Sequence, residues 1–141
     1  MRPAILIAGI GQLVLVLMSL AIPRVLAWEE ETRKLKPLTR QVFWTYAGYI
    51  WFTNLSFGLV STFLPDALLD GSTLAAAVTS FIGIYWGVRV FIQFFWFDRS
   101  DVPSGRGIRI AESLLVSLFV SLTCVYGLAA SRNLVDLFAR H

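Results

Sequence analysis

Four long stretches without a charged side chain alternate with short charged segments along this chain. Residues 4–22, 42–64, 72–88 and 113–131 contain no Asp, Glu, Lys or Arg. A helix needs about 20 predominantly apolar residues to cross the roughly 30 Å hydrocarbon core of a bilayer. The pattern therefore predicts an integral membrane protein that crosses the bilayer several times, with little mass outside it.

The residues between these stretches predict where four transmembrane helices begin and end. Pro65 is expected to close the second helix, and Ser72 or Thr73 to cap the third. We expect the first helix to be retained rather than cleaved as a signal peptide, because its apolar run is longer than a usual signal core. The expected fold is all-α, an integral membrane four-helix transmembrane bundle of two helical hairpins with no soluble domain. The helices are predicted at about 3–27, 41–64, 72–97 and 108–131 of a single domain, 1–141.

The segment after the first helix predicts a short helical extension beyond the membrane surface. Glu29 precedes Arg33 by four positions, and Glu30 precedes Lys34 by the same spacing. Oppositely charged residues in this order stabilise a helix by about 0.2–0.5 kcal/mol per pair. Pro37 is expected to end the extension, because the residue before a proline disfavours helical geometry.

The distribution of Lys and Arg predicts the orientation of the chain. The first and third connections, with their flanks, carry seven basic residues, whereas the termini and the second connection carry three. Basic loops are retained in the cytoplasm, so both termini are predicted outside. We expect the bacterial plasma (inner) membrane as the location. The seven residues are Arg33, Lys34, Lys36, Arg40, Arg99, Arg106 and Arg109.

Arg89 is a basic residue inside a predicted membrane span. It lies about 12 Å from the cytoplasmic end of the third helix. An unpaired charge at the bilayer centre costs about 2.5–3.5 kcal/mol on insertion scales, so we expect Arg89 to have a polar partner, most simply Glu112 of the fourth helix in an ion pair. Gln93 and Tyr85 are on the same helix face. The group is a structural ion pair, an arginine that snorkels to the interface without a partner, or a site for a proton, an anion or a lipid headgroup.

Small residues repeat every four positions on the third and fourth helices. This spacing places them on one face of each helix, where they let a neighbouring backbone approach closely. The sequence leaves open whether the neighbour belongs to this chain or to another one. The predicted packing residues are Thr79, Gly83 and Gly87 on the third helix, and Ser113, Ser117 and Ser121 on the fourth.

The third connection combines three arginines with glycines. Backbone N–H groups around glycine and arginine side chains both suit a phosphate. Arg99, Arg106 and Arg109 are therefore candidate contacts for anionic lipid headgroups, and the alternative is that they serve only to set the topology.

Composition disfavours catalytic and nucleic-acid-binding functions. Hydrophobic residues make up 57% of the chain and charged residues 15%, below the roughly 25% charged residues of soluble domains. The single His is His141 and the single Cys is Cys124. The usual ligand sets of haem, zinc and iron–sulfur clusters cannot be assembled from them, and we expect no cofactor, no metal and no nucleic acid.

These features favour a structural or accessory subunit that packs against other membrane proteins. The expected partners are the lipid bilayer, including anionic lipid, and either other membrane protein subunits or further copies of the chain. One alternative is a small oligomeric transporter or channel with a polar path near Arg89 and Glu112. Another is a membrane enzyme that acts on lipid or quinone.

Overall fold

Helices account for all the regular secondary structure of the residues that the structure describes. The computed structural model describes residues 1–140; 82% of the chain is helical, and none of these residues lies in a β-strand. Arg2–Val25, Thr73–Phe95 and Arg106–Ala139 are each long and apolar enough to cross a membrane. The helices are α1 Arg2–Ser19, α2 Ile22–Val25, α3 Trp28–Arg33, α4 Pro37–Phe63, a 3-10 turn Ala67–Leu69, α5 Thr73–Phe95 and α6 Arg106–Ala139.

Helix α4 has the length of a membrane span but not the apolarity of the other three. It contains 27 residues, yet within residues 1–140 it is not among the helices that combine length with sufficient apolarity. Tyr46, Tyr49 and Asn54 are among the polar residues that lower its hydropathy. Length and composition therefore support three of the four predicted spans.

Helices α1 and α4 form an antiparallel hairpin in close contact. A Cβ atom added to Gly9 would lie 2.6 Å from Thr62 Oγ1, so the two backbones nearly touch there. Seven residues later in α1, the Val16 carbonyl accepts a hydrogen bond from Trp51 Nε1 at 3.1 Å. The numbers rise along α1 as they fall along α4, which defines the antiparallel direction.

Helices α5 and α6 form the second antiparallel hairpin. A Cβ atom on Gly83 would lie 3.5 Å from Tyr126 Cβ. Near the other end of the pair, Gln93 Nε2 donates a hydrogen bond to Glu112 Oε1 at 3.3 Å. The two hairpins meet across a common apolar core, in which Trp86 stacks on Phe119 with ring centroids 5.2 Å apart. Ile5, Leu15, Ile82 and Leu122 are buried in the same core.

The chain leaves α1 earlier than the sequence predicts. The first helix was expected to run to about residue 27 and on into the charged extension, but α1 ends at Ser19. Pro23 explains the break, because it has no N–H for the carbonyl of residue 19 and its ring collides with that carbonyl. Ala27 then adopts a left-handed conformation with φ 50° and turns the chain into α3.

The charged extension is thus a separate short helix, with pairing that differs in part from the expectation. Arg33 Nη2 lies 3.4 Å from Glu29 Oε1, as the spacing predicts. Lys34 pairs with Glu31 at 3.0 Å rather than with Glu30, since an i,i+3 spacing also brings side chains together. Pro37 ends the connection and is the first residue of α4. Proline is tolerated there because a backbone N–H in the first turn of a helix has no carbonyl acceptor within the helix.

The C-terminal segment extends the last helix two turns past the predicted end at residue 131. Asn133 of this extension is fully buried. Its Nδ2 donates to the Leu68 carbonyl at 2.8 Å and to Thr79 Oγ1 at 3.3 Å, and its Oδ1 accepts from Gly71 N at 3.2 Å. The extension therefore continues α6 and packs against the 64–72 connection.

The chain termini and the 64–72 connection lie at one end of the molecule, and the other two connections lie at the opposite end. At one end, which we call the terminal end, Arg2 pairs with Asp66 at 2.8 Å and Arg140 Nη2 donates to the Asp70 carbonyl at 3.1 Å. Both contacts join a chain terminus to the 64–72 connection. The opposite end, which we call the loop end, carries the connections 20–36 and 96–105.

Candidate functional site

One residue from each long helix contributes to a buried polar cluster where the hairpins meet. Gln12 of α1, Ser61 of α4, Trp86 of α5 and Tyr126 of α6 are each at most 1% exposed. Gln12 Nε2 donates to the Tyr126 hydroxyl at 2.6 Å, and Gln12 Oε1 accepts from Trp86 Nε1 at 3.1 Å. The hydroxyls of Ser61 and Tyr126 share a further hydrogen bond at 2.5 Å. We call these four residues the central polar cluster.

The cluster fixes how the two hairpins pack together. A polar group buried in an apolar surrounding is costly unless it is hydrogen-bonded, so each member favours the one arrangement that satisfies it. The sequence analysis missed the cluster, because single polar or aromatic residues in four separate apolar runs do not predict a contact. The available signal was Gln12, the single amide side chain of residues 4–22.

The second polar group is a hydrogen-bonded chain at the loop end. Arg89 Nη1 donates to Gln93 Oε1 at 3.1 Å, and Gln93 Nε2 donates to Glu112 Oε1 at 3.3 Å. Glu112 forms its ion pair with Arg99, at 2.5 Å. We call these four residues the loop-end chain. The expected ion pair between Arg89 and Glu112 is therefore not formed, which corrects the sequence analysis. The amide of Gln93 lies between the two groups, and the flexible arginine of the connection reaches the carboxylate instead.

Aromatic rings surround the Arg89 guanidinium. Its central carbon lies 4.8 Å from the Phe119 ring centroid and 5.1 Å from that of Phe97. Cations are attracted to aromatic faces, by about 0.5–2 kcal/mol depending on exposure. Tyr85, one turn before Arg89, instead donates its hydroxyl to Asn54 Oδ1 of α4 at 2.8 Å. Tyr85 thus joins the hairpins, while Arg89 remains on the α5–α6 side.

The small-residue seam of α5 contacts α6 of the same chain. An added Cβ would lie 3.4 Å from Gly127 N at Gly83 and 3.5 Å from Thr123 Cγ2 at Gly87. Thr79 is fully buried and bonds to Asn133. The sequence left open whether the neighbour of this seam belongs to the same chain. The neighbour is α6 of the same chain, so the seam is not available to a partner protein.

The serines of α6, in contrast to the α5 seam, do not lie against another helix of residues 1–140. Ser113, Ser117 and Ser121 are exposed. The Ser117 hydroxyl donates to the Ser113 carbonyl, and the Ser121 hydroxyl to the Ser117 carbonyl, each at 2.8 Å. The hydroxyls of Ser117 and Ser121 are thus bonded within the helix and have little need of another polar partner. The three side chains are small and form one exposed surface of α6. We call this surface the serine face.

The three arginines of the third connection do not act as one group. Arg99 is held by Glu112, while Arg106 and Arg109 are exposed. They line an open depression that includes part of the serine face; its other lining residues are Ile110, Ser113, Leu114 and Ser117. Asp98 is also exposed, and hydrogen bonds from Ser100 lower its pKa. The structure thus separates Arg99, which is paired, from Arg106 and Arg109, which are exposed.

The side chains brought together at these sites are suited to binding and packing. The central polar cluster offers hydroxyl, amide and indole groups that satisfy one another, and the loop-end chain offers one arginine whose charge is not matched by a carboxylate of its own. Compared with known proteins, the chain matches no protein-family model, no curated protein and no solved structure.

Proposed function

We propose that the chain spans the membrane four times, and that α4 is a span in addition to α1, α5 and α6. Residues 42–64 carry no charge, and 27 helical residues correspond to about 40 Å. The support for this proposal is the packing of α4 along α1, from Gly9 against Thr62 to Val16 against Trp51. A helix that lies antiparallel along a spanning helix crosses the same hydrocarbon thickness.

We further propose that the loop end faces the cytoplasm of a bacterial plasma membrane, with both termini outside. In a Cys124→Ser background, a membrane-impermeant maleimide added to intact cells should label Ala67→Cys and not Lys34→Cys. Both positions are exposed, and the expectation follows from the excess of basic residues at the loop end. Labelling of Lys34→Cys alone would reverse the orientation.

We propose that the protein acts as a structural or accessory subunit that associates with other membrane proteins. The observation that carries this proposal is the serine face of α6, because small exposed residues let another helix approach closely. The seam of α5 is already used within the chain, and the polar groups at the bundle centre are bonded to one another. The serine face is the predicted packing surface that remains exposed.

The test is purification of the tagged chain from its native membrane at native expression level. We expect other membrane proteins to co-purify with the wild type and to be lost with Ser117→Leu, which fills the serine face. Ala77→Leu is the matched control, since it adds a Leu at an exposed small position of α5. Circular dichroism should show the same helix content in all three proteins. Unchanged co-purification with Ser117→Leu would contradict the proposal.

The loop-end chain favours a second candidate, a small oligomeric transporter or channel. Arg89, Gln93, Glu112 and Arg99 form a continuous line of polar contacts. Toward the terminal end Arg89 lies against the Phe119 ring, on which the buried Trp86 stacks, so a path would have to run between copies. The same purification tests this candidate: a uniform homo-oligomer without other proteins favours it over the subunit.

A further inference from the structure

The charge of Arg89 has no matched carboxylate. Glu112 is the nearest acidic residue of the loop-end chain, and Arg99 already forms its ion pair. Of the ion pairs among residues 1–140, none includes Arg89. Arg89, Arg99 and Glu112 together thus carry one excess positive charge, and of the three Arg89 and Glu112 are partly buried.

The guanidinium also has unused hydrogen-bond donors. It carries five N–H donors in a planar fork, and within the described residues one hydrogen bond is formed, from Nη1 to Gln93. Phe97 and Phe119 lie against the group as rings, which attract the cation but accept no ordinary hydrogen bond. Donors left without a partner near hydrocarbon are unfavourable, because no water is there to accept their hydrogen bonds.

The side chain extends toward the membrane surface at the loop end. Helical side chains normally lean toward the N-terminus, yet Arg89 contacts Gln93 and Phe97, four and eight residues further along. Trp96 is 79% exposed at the end of α5, and exposed Trp is typical of the headgroup level. The guanidinium therefore lies about one helical turn, roughly 5 Å, inside that level.

We propose that Arg89 binds the phosphate group of an anionic phospholipid in the leaflet at the loop end. A phosphate oxygen pair matches the planar donor fork of an arginine, and the negative charge balances the excess positive charge of the loop-end chain. Gln93 positions the guanidinium through its hydrogen bond to Nη1. The depth favours a lipid over free phosphate, because the lipid phosphate is held at the membrane surface beside the fork.

The test measures thermal unfolding of the delipidated full chain in neutral detergent. Phosphatidylglycerol in the micelles should raise the midpoint of unfolding more than phosphatidylcholine does. Inorganic phosphate added at the same concentration as the lipid should leave the midpoint unchanged. Arg89→Gln should reduce the difference between the two lipids, although the exposed Arg106 and Arg109 are retained. Arg24→Gln is the control, because it removes an exposed positive charge at the same end of the other hairpin; it should keep the difference.

A second variant keeps the test informative if Arg89→Gln does not fold. Arg89→Lys retains the charge but not the planar fork, and should bind phosphatidylglycerol about tenfold more weakly, the effect of roughly one charge-assisted hydrogen bond. Native mass spectrometry of the purified proteins should show less co-purified phospholipid for Arg89→Lys than for Arg24→Gln. Equal responses to both lipids in the wild type, or an undiminished response in either Arg89 variant, would overturn the proposal. An equal response to inorganic phosphate alone would overturn the assignment to a lipid.

Discussion

Gly9→Ala should lower the free energy of unfolding by about 1–3 kcal/mol, the usual effect of forcing an extra group into a packed contact. The added Cβ would lie 2.6 Å from Thr62 Oγ1, 2.8 Å from Thr62 N and 2.9 Å from the carbonyl carbon of Ser61. Two of these atoms are backbone atoms, so α4 as a whole has to move away from α1. That movement would also displace Ser61 from the central polar cluster.

Two other glycines provide matched controls for this substitution. At Gly83 the nearest atom to an added Cβ is 3.4 Å away, and at Gly48 nothing lies within 4 Å. Gly83→Ala and Gly48→Ala should therefore be neutral or stabilising, by up to about 1 kcal/mol, because Ala favours helix over Gly. Unfolding in mixed micelles with increasing dodecyl sulfate, followed by circular dichroism, measures all three. A Gly9→Ala protein as stable as Gly48→Ala would show that the α1–α4 contact is not close in solution.

Gln12→Leu should lower the free energy of unfolding by about 2 kcal/mol although it removes almost no volume. The substitution leaves Trp86 Nε1 without its acceptor and removes the donor at 2.6 Å from Tyr126. A buried group left unsatisfied costs about 1–3 kcal/mol, and a single interhelical hydrogen bond in a membrane contributes less than about 2 kcal/mol. The stranded indole N–H is therefore the larger part of the expected loss.

A double-mutant cycle separates the cluster from a general effect of added hydrophobicity. Gln12→Leu combined with Tyr126→Phe should cost less than the sum of the single changes, because the first change already removes the Gln12–Tyr126 bond. Gln41→Leu is the matched control on the exposed part of α4 and should be neutral. Strict additivity of Gln12→Leu and Tyr126→Phe would mean that the two side chains are not coupled.

The helices that are long and apolar enough to cross a membrane could be predicted, because apolarity and helix ends depend on nearby residues. The third helix was expected at 72–97 and is found at Thr73–Phe95. Ser72 caps it as expected, since its hydroxyl accepts a hydrogen bond from Ala75 N at 3.0 Å. The early end of α1 was also encoded locally, by Pro23, but the length of the apolar run outweighed that signal in the prediction.

Close packing could be predicted from spacing, but the partner could not. Gly83 and Gly87 have the same i,i+4 spacing as Ser113 and Ser117. The first pair lies against α6, whereas the second pair is exposed. The difference arises from how each helix is rotated about its axis. That rotation depends on the whole set of buried side chains and not on the spacing within one helix.

The contacts that join the hairpins follow only from the tertiary structure. Gln12 and Tyr126 are 114 positions apart, and Ser61 and Tyr126 are 65 apart, so no local pattern relates them. The partner of Arg89 illustrates the same limit, since the cost of a charge in the membrane predicts that a polar partner exists but does not choose between Glu112 and Gln93. Residue type and local spacing determine which segments enter the bilayer and which faces are small or polar. The relative rotation and depth of the packed helices determine which of those groups meet.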